Sequence, residues 1–144
     1  MHFDPENRVN KLCAQGMLSE GEGKSEEASK LFQQAWNEAG NDREKFTAAH
    51  YVARHQKSVA DKLKWDETAL NLALQIGDED IKGAYPSLYL NIAKCYEDLN
   101  EFDKAHENYL LALNFTNFLL DDGYGNMIRS GINKGIERVL LKSN

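Results

Sequence analysis

Apolar residues recur along this chain at intervals of three and four almost from end to end, and no useful length alternates like a strand. One short pattern repeats. Ala105, Tyr109 and Ala112 stand at i, i+4 and i+7, with Ala93 and Tyr96 on the segment before them. Ala28, Phe32 and Ala35 reproduce the spacing, with Gly16 in the place of Ala93, and a looser copy centres on Ala69, Ala73 and Ile76 after Trp65. A small–large–small row facing a small residue on the previous helix lets two antiparallel helices approach closely, the aromatic filling the space beyond. Repetition at roughly 34 to 40 residues is the signature of stacked helix pairs.

Punctuation between the periodic stretches predicts seven helices. The first spans about residues 5–19 and ends in Gly21-Glu22-Gly23. The second follows Ser25, with Glu26 and Glu27 complementing the dipole of its first turn, and stops at Gly40. Asp42 is the expected cap of the third, which carries Phe46, Ala49, Val52 and Ala53 inward. Residues 58–64 read as a connector or frayed turn, so that Trp65 opens a fourth helix closing at Gly77. A fifth helix runs to about Leu99; either it starts near Tyr85, or Asp78 caps it and it bends at Pro86, the reading favoured by the spacing of Ile81 and Ala84. Asn100 and Asp103 resemble a capping box for a sixth helix reaching Leu120. After the turn 121–125, a last helix covers about 127–142. Gly131 and Gly135 on it would form a groove for the sixth helix, since glycine inside a helix costs about 1 kcal/mol and calls for close packing in return.

At 144 residues the chain is read as one domain with a core of its own. Its net charge of -6 opposes bulk binding to a phosphate backbone, so no nucleic-acid partner is expected. Cys13 and Cys95 lack metal-ligand or redox spacing and read as buried small hydrophobes in a reducing compartment. No apolar run approaches the roughly 18 residues needed to span a bilayer, and residues 1–6 show no secretory pattern. The expected location is the cytoplasm.

The stretch 86–119, with Tyr89, Ile92, Ala93, Tyr96, Phe102, Ala105, Tyr109 and Ala112, resembles the tetratricopeptide repeat signature, with Asn117 where a proline is usual. The first repeat departs on its first helix, where Ser19 replaces an aromatic, and the middle one has Trp65 one residue too close to Ala69. The segments 49–56, 65–70, 85–91 and 122–129 are further similar to a small bacterial tetratricopeptide family of about this length. Some members of that family carry a ribosomal-RNA adenine methyltransferase label. This sequence gives that label no support, because the strand, glycine-rich cofactor turn and parallel sheet of such an enzyme have no counterpart here. The resemblance implies an all-α, right-handed α–α superhelix of three hairpins, over about 5–40, 42–77 and 79–120, with a capping helix over 126–143.

In such a solenoid the first helix of each pair lines the concave side. Thr47, His50, Arg54 and Lys57 form a polar stripe on the third helix; Ser87, Asn91 and Lys94 form one on the fifth; Arg129 and Asn133 lie one turn apart on the seventh, beside Tyr124. His50, Arg54, Asn91, Lys94 and Arg129 would make a cationic, amide-lined groove suited to carboxylates or phosphates. Tyr51, Tyr85 and Tyr89 would supply contact area. The plainer alternative is that these stripes are solvated and the tyrosines are core-edge residues. Only Asn91 matches the carboxylate-holding set of chaperone-adaptor tetratricopeptide domains. His50 and His55 lie on different faces and are poor co-ligands, so no metal site is expected.

No zinc-protease, nucleophile-elbow or phosphate-loop motif occurs, and no catalytic residue or cofactor is expected. The expected function is therefore non-enzymatic: a protein-interaction module holding a peptide or acidic group of another protein in its concave groove. The expected binding residues are His50, Tyr51, Arg54, Tyr85, Ser87, Asn91, Lys94, Tyr124 and Arg129. The alternative is a small anionic ligand in the same pocket, and a third reading is a homodimer formed through an exposed end repeat.

Overall fold

Asn7 starts the first helix: its side-chain oxygen accepts the backbone N–H of Asn10 at 3.0 Å, and α1 follows over Arg8–Gly21. In this computed structural model, which describes residues 4–142, the chain continues through α2 (Ser25–Glu38), α3 (Asp42–Val52), α4 (Val59–Ile76), α5 (Tyr85–Asp98), α6 (Phe102–Asn114) and α7 (Gly123–Lys142). The described residues contain these seven α-helices, three short 3-10 turns and no strand. Among the described residues no helix is long and apolar enough to cross a membrane. The chain falls into two compact units, one up to Ile76 and one from Gly77 onward.

The first unit holds two hairpins, α1–α2 and α3–α4, with α3 packed on both α1 and α2. Its core joins Val9, Leu12 and Cys13 to Ala28, Phe32 and Ala35, and to Ala48 and Val52. Gly16 is where the expected close approach occurs: a Cβ there would lie 2.3 Å from Cε1 of Phe32. Trp36 and Trp65 meet edge to face at 5.0 Å, tying α2 to α4.

The second unit packs α5 against α6 and both against α7. Tyr109 lies with Ala93, Ala105 and Val139, and a neighbouring cluster holds Ala112, Ile128 and Ile132. A Cβ on Gly135 would stand 2.3 Å from the Tyr109 ring, so this glycine serves α6 as expected, whereas Gly131 faces Leu90 of α5. The Tyr109 hydroxyl donates to Glu97 at 2.6 Å, and Arg138 donates to both Glu97 oxygens at 2.8 and 3.0 Å. Burial pushes the Glu97 carboxyl up, but these two partners outweigh it and hold the group below its ordinary value.

Several boundaries differ from the sequence reading, each for a local reason; α3, for one, is capped by Asn41, which accepts the Glu44 N–H at 2.9 Å, and not by Asp42. Residues 59–64 are helical, because Ser58 accepts the Asp61 N–H at 3.1 Å and starts α4, leaving Trp65 in its second turn. Pro86 does not bend a helix that began near Asp78. A 3-10 turn over Lys82–Ala84 precedes α5, and Pro86 stands in the first turn, where its missing N–H and fixed φ do no harm. Asn100 does not cap α6 but ends α5: it is left-handed (φ 61), and the N–H groups of Asn100 and Glu101 reach back to Glu97 and Tyr96 at 3.0 and 2.9 Å. Gly23 (φ 77) ends α1 in the same way, with Lys24 donating to Ser19 at 2.8 Å. Finally, α6 stops at Asn114 and α7 begins at Gly123, where Asp122 accepts the Gly125 N–H at 2.8 Å. The expected end of the last helix at residue 143 lies outside the described residues.

Candidate functional site

A cleft of about 470 Å³ runs along α1, and because α3 packs beside that helix, Tyr51 of α3 borders it. From α1 come Asn10, Lys11, Cys13, Ala14, Gln15 and Met17, from the preceding segment Pro5, and from α3 Tyr51. Ala14, Gln15 and Met17 are exposed, so the cleft opens to solvent. Cys13 is 1% exposed, and burial pushes its thiol up to about 12, so at neutral pH it is an apolar wall rather than a nucleophile.

Tyr51 is fixed from two sides. Its ring stacks on Phe32 at 5.0 Å and 15°, and the Arg54 guanidinium lies 5.4 Å from its centroid. Glu20 of α1 pairs with Arg54 at 3.2 Å and with Nε2 of His55 at 2.6 Å, while the His55 ring tilts against Phe32 at 5.5 Å. These contacts tie α1, α2 and the end of α3 together around one tyrosine.

His50 stands at the edge of this group, its ring 5.4 Å from that of Tyr51 and stacked on Phe46 at 6.4 Å. Burial pushes its pKa down, with Arg54 and Lys62 adding to the effect and Asp66 opposing it. At neutral pH the ring is therefore uncharged. His50, Tyr51 and Arg54 are thus brought together, although Arg54 already faces an anion.

The remaining sequence-predicted residues belong to the second unit. Tyr85 is buried edge-on against Phe115 at 5.3 Å, and Tyr89 stacks on the same ring at 5.8 Å, burial pushing its hydroxyl pKa up. The Ser87 hydroxyl donates to the Ala84 carbonyl at 3.0 Å. Lys94 is exposed and pairs with Asp98. Asn91 is half-buried on α5, and Tyr124 is 54% exposed at the start of α7. Arg129 donates to the carbonyls of Leu119 and Leu120 at 3.1 and 3.2 Å and to Thr116 at 3.4 Å. It closes the turn between α6 and α7. Ser87, Lys94 and Arg129 therefore engage acceptors of their own chain.

The sequence reading placed no site residue on α1 and none at Glu20, and it weighed His55 only as a metal ligand. Asn10, Ala14 and Met17 stand at i, i+4 and i+7 on that helix, which is the available signal. Charged stripes mark α3 and α5, whereas the α1 wall is mostly apolar. Among the described residues no group of three or more His, Cys, Asp or Glu could hold a metal ion.

No protein-family model matches the chain, and no curated protein matches it. Among solved structures it is similar to PcrH from Pseudomonas aeruginosa, with a TM-score of 0.61 and 18% identity over 96% of each chain. That likeness shows the fold: an all-α protein of tetratricopeptide-like helical repeats.

Proposed function

We propose that this chain is a non-enzymatic interaction module that captures a peptide segment of another protein along the first helices of its hairpins. The observation that carries the reading is the α1–α3 cleft, an open apolar trough with an immobilised aromatic side chain on its wall. Helix-lined troughs of this kind bind side chains of an incoming segment by burial, and the polar rim of Asn10, Lys11 and Gln15 offers hydrogen bonds to its backbone. Tyr51 adds contact area without an ordering penalty, since Phe32 and Arg54 already hold its ring. The tetratricopeptide-like fold is consistent with such a role.

The alternative, a small ligand in the same place, is favoured only by size, for the cleft falls within the range of about 300–1,000 Å³ common for small-molecule sites. A version in which Arg54 orients a carboxylate has the ligand share the guanidinium with Glu20.

Native mass spectrometry of the protein isolated from its own cells separates these readings. A retained polypeptide that disappears with Met17→Glu, a charge placed at an exposed position of the apolar wall, supports peptide capture. A retained mass of metabolite size, or a polypeptide indifferent to Met17→Glu, contradicts it.

A further inference from the structure

One charged pair lies at the rim of the cleft, and a second lies outside its lining, against the ring of the lining residue Tyr51. Lys11 at the rim pairs with Glu6 at 3.4 Å, and Arg54 on the Tyr51 ring pairs with Glu20 at 3.2 Å. The two pairs differ in burial. Lys11 and Glu6 are largely in solvent, and a pair of that kind is weak and readily exchanged. The Glu20 side chain is only 18% exposed and its second oxygen is held by His55, whereas Arg54 is 47% exposed. Glu20 is therefore the fixed partner, and Arg54 the one whose outward N–H groups an incoming segment meets.

We propose that Glu20 sets the charge selectivity of the α1–α3 cleft: by neutralising Arg54 beside Tyr51, it makes the cleft accept apolar segments that carry no carboxylate next to the anchoring side chain. This rests on the peptide-capture reading above. An arginine on an aromatic face is by itself a carboxylate receptor. With a built-in carboxylate in place, a ligand anion meets a site that is already neutral and must approach the Glu20 charge. A neutral segment meets no such penalty and uses the remaining guanidinium N–H groups through its backbone carbonyls. The occupant is thus an apolar segment with neutral or basic flanks, which also suits a protein of net charge -6.

The test uses a phage-displayed library of random dodecapeptides, panned on wild-type protein, on Glu20→Gln and on the double variant Glu20→Gln/Arg54→Met. Glutamine keeps the volume of the side chain and an acceptor for His55, and far-UV circular dichroism melting establishes that each variant is folded. Wild type is expected to enrich apolar peptides poor in Asp and Glu. Glu20→Gln is expected to raise the Asp and Glu content beside the apolar anchor by about threefold, within reach of one half-exposed ion pair. The double variant is expected to return to the wild-type composition. Acid-rich peptides from wild type, or equal acid content from wild type and Glu20→Gln, overturn this proposal while leaving peptide capture standing. Failure of wild type to enrich any motif overturns both.

Discussion

The ring of Phe32 fills the space that a side chain at position 16 would need, and Tyr109 does the same to position 135; in each case a Cβ would lie 2.3 Å from a ring carbon. The two glycines play matching parts in different units. Gly16 stands on the helix before its aromatic, Gly135 on the helix after. Both rings are fully buried, so neither can swing aside.

Gly16→Ala and Gly135→Ala are therefore expected to destabilise the fold by about 1–3 kcal/mol each through overpacking. Gly83→Ala serves as the control, since its nearest neighbour would be the Phe118 carbonyl at an ordinary 3.6 Å. Urea unfolding of the three variants checks the difference. Gly16→Ala also disturbs the ring on which Tyr51 stacks, so it is expected to weaken ligand capture, which Gly135→Ala would not do through that contact.

The buried Glu97 depends on two donors. Tyr109→Phe is expected to cost about 1.5 kcal/mol by removing one charge-assisted hydrogen bond. Arg138→Met is expected to cost more, about 3 kcal/mol, because it leaves a buried carboxylate with a single partner. Since the folded pKa of Glu97 lies below the ordinary carboxyl value of 4.5, its contribution is present above that pH and lost as pH falls through the folded value. Acid titration of stability should show this loss in wild type and a smaller one in Arg138→Met.

His50 acts in the same direction at a higher pH. Its folded pKa lies below the ordinary 6.5, so as pH falls through that value the unfolded chain takes up a proton that the folded chain resists. Stability is full above about 6.5 and declines below it. His50→Leu is expected to remove this part of the slope, measured as the difference between wild-type and variant urea midpoints from pH 7.5 to 5.

Arg129 separates scaffold from site. Its bonds to Thr116, Leu119 and Leu120 predict that Arg129→Met exposes the 115–120 segment to hydrogen exchange and lowers stability by about 1–2 kcal/mol. Arg54→Ala is expected to leave helicity nearly unchanged, because its ion pair is half exposed, and to alter ligand capture instead.

The hairpins were legible because their rule is local. Small–large–small rows at helical spacing place Gly16, Phe32 and Tyr109, and the cost of glycine inside a helix places Gly135, without reference to the rest of the chain. The boundary errors came from choices that local rules leave open: Asn100 reads equally as a cap for the next helix or a left-handed end for the last, and Pro86 as a kink or a first turn. The site was less legible. Charged stripes drew attention to Arg54, Lys94 and Arg129, yet their partners are set by packing: Glu20 reaches Arg54 only because α1 lies beside α3, and the Arg129 acceptors appear only once α6 has ended early. The wall of α1 carries no charged stripe, only the i, i+4, i+7 spacing of Asn10, Ala14 and Met17.

The central claim is that a partner segment lies against α1 and α3. The most direct measurement replaces Ala14, exposed in the cleft wall, with the photo-crosslinker p-benzoylphenylalanine in the protein's own cells, with exposed Glu107 of α6 substituted as the comparison. The account expects a discrete protein adduct from position 14 that is absent from position 107 and lost when Met17→Glu is added. Adducts of equal yield at both positions, or none at position 14, would contradict it.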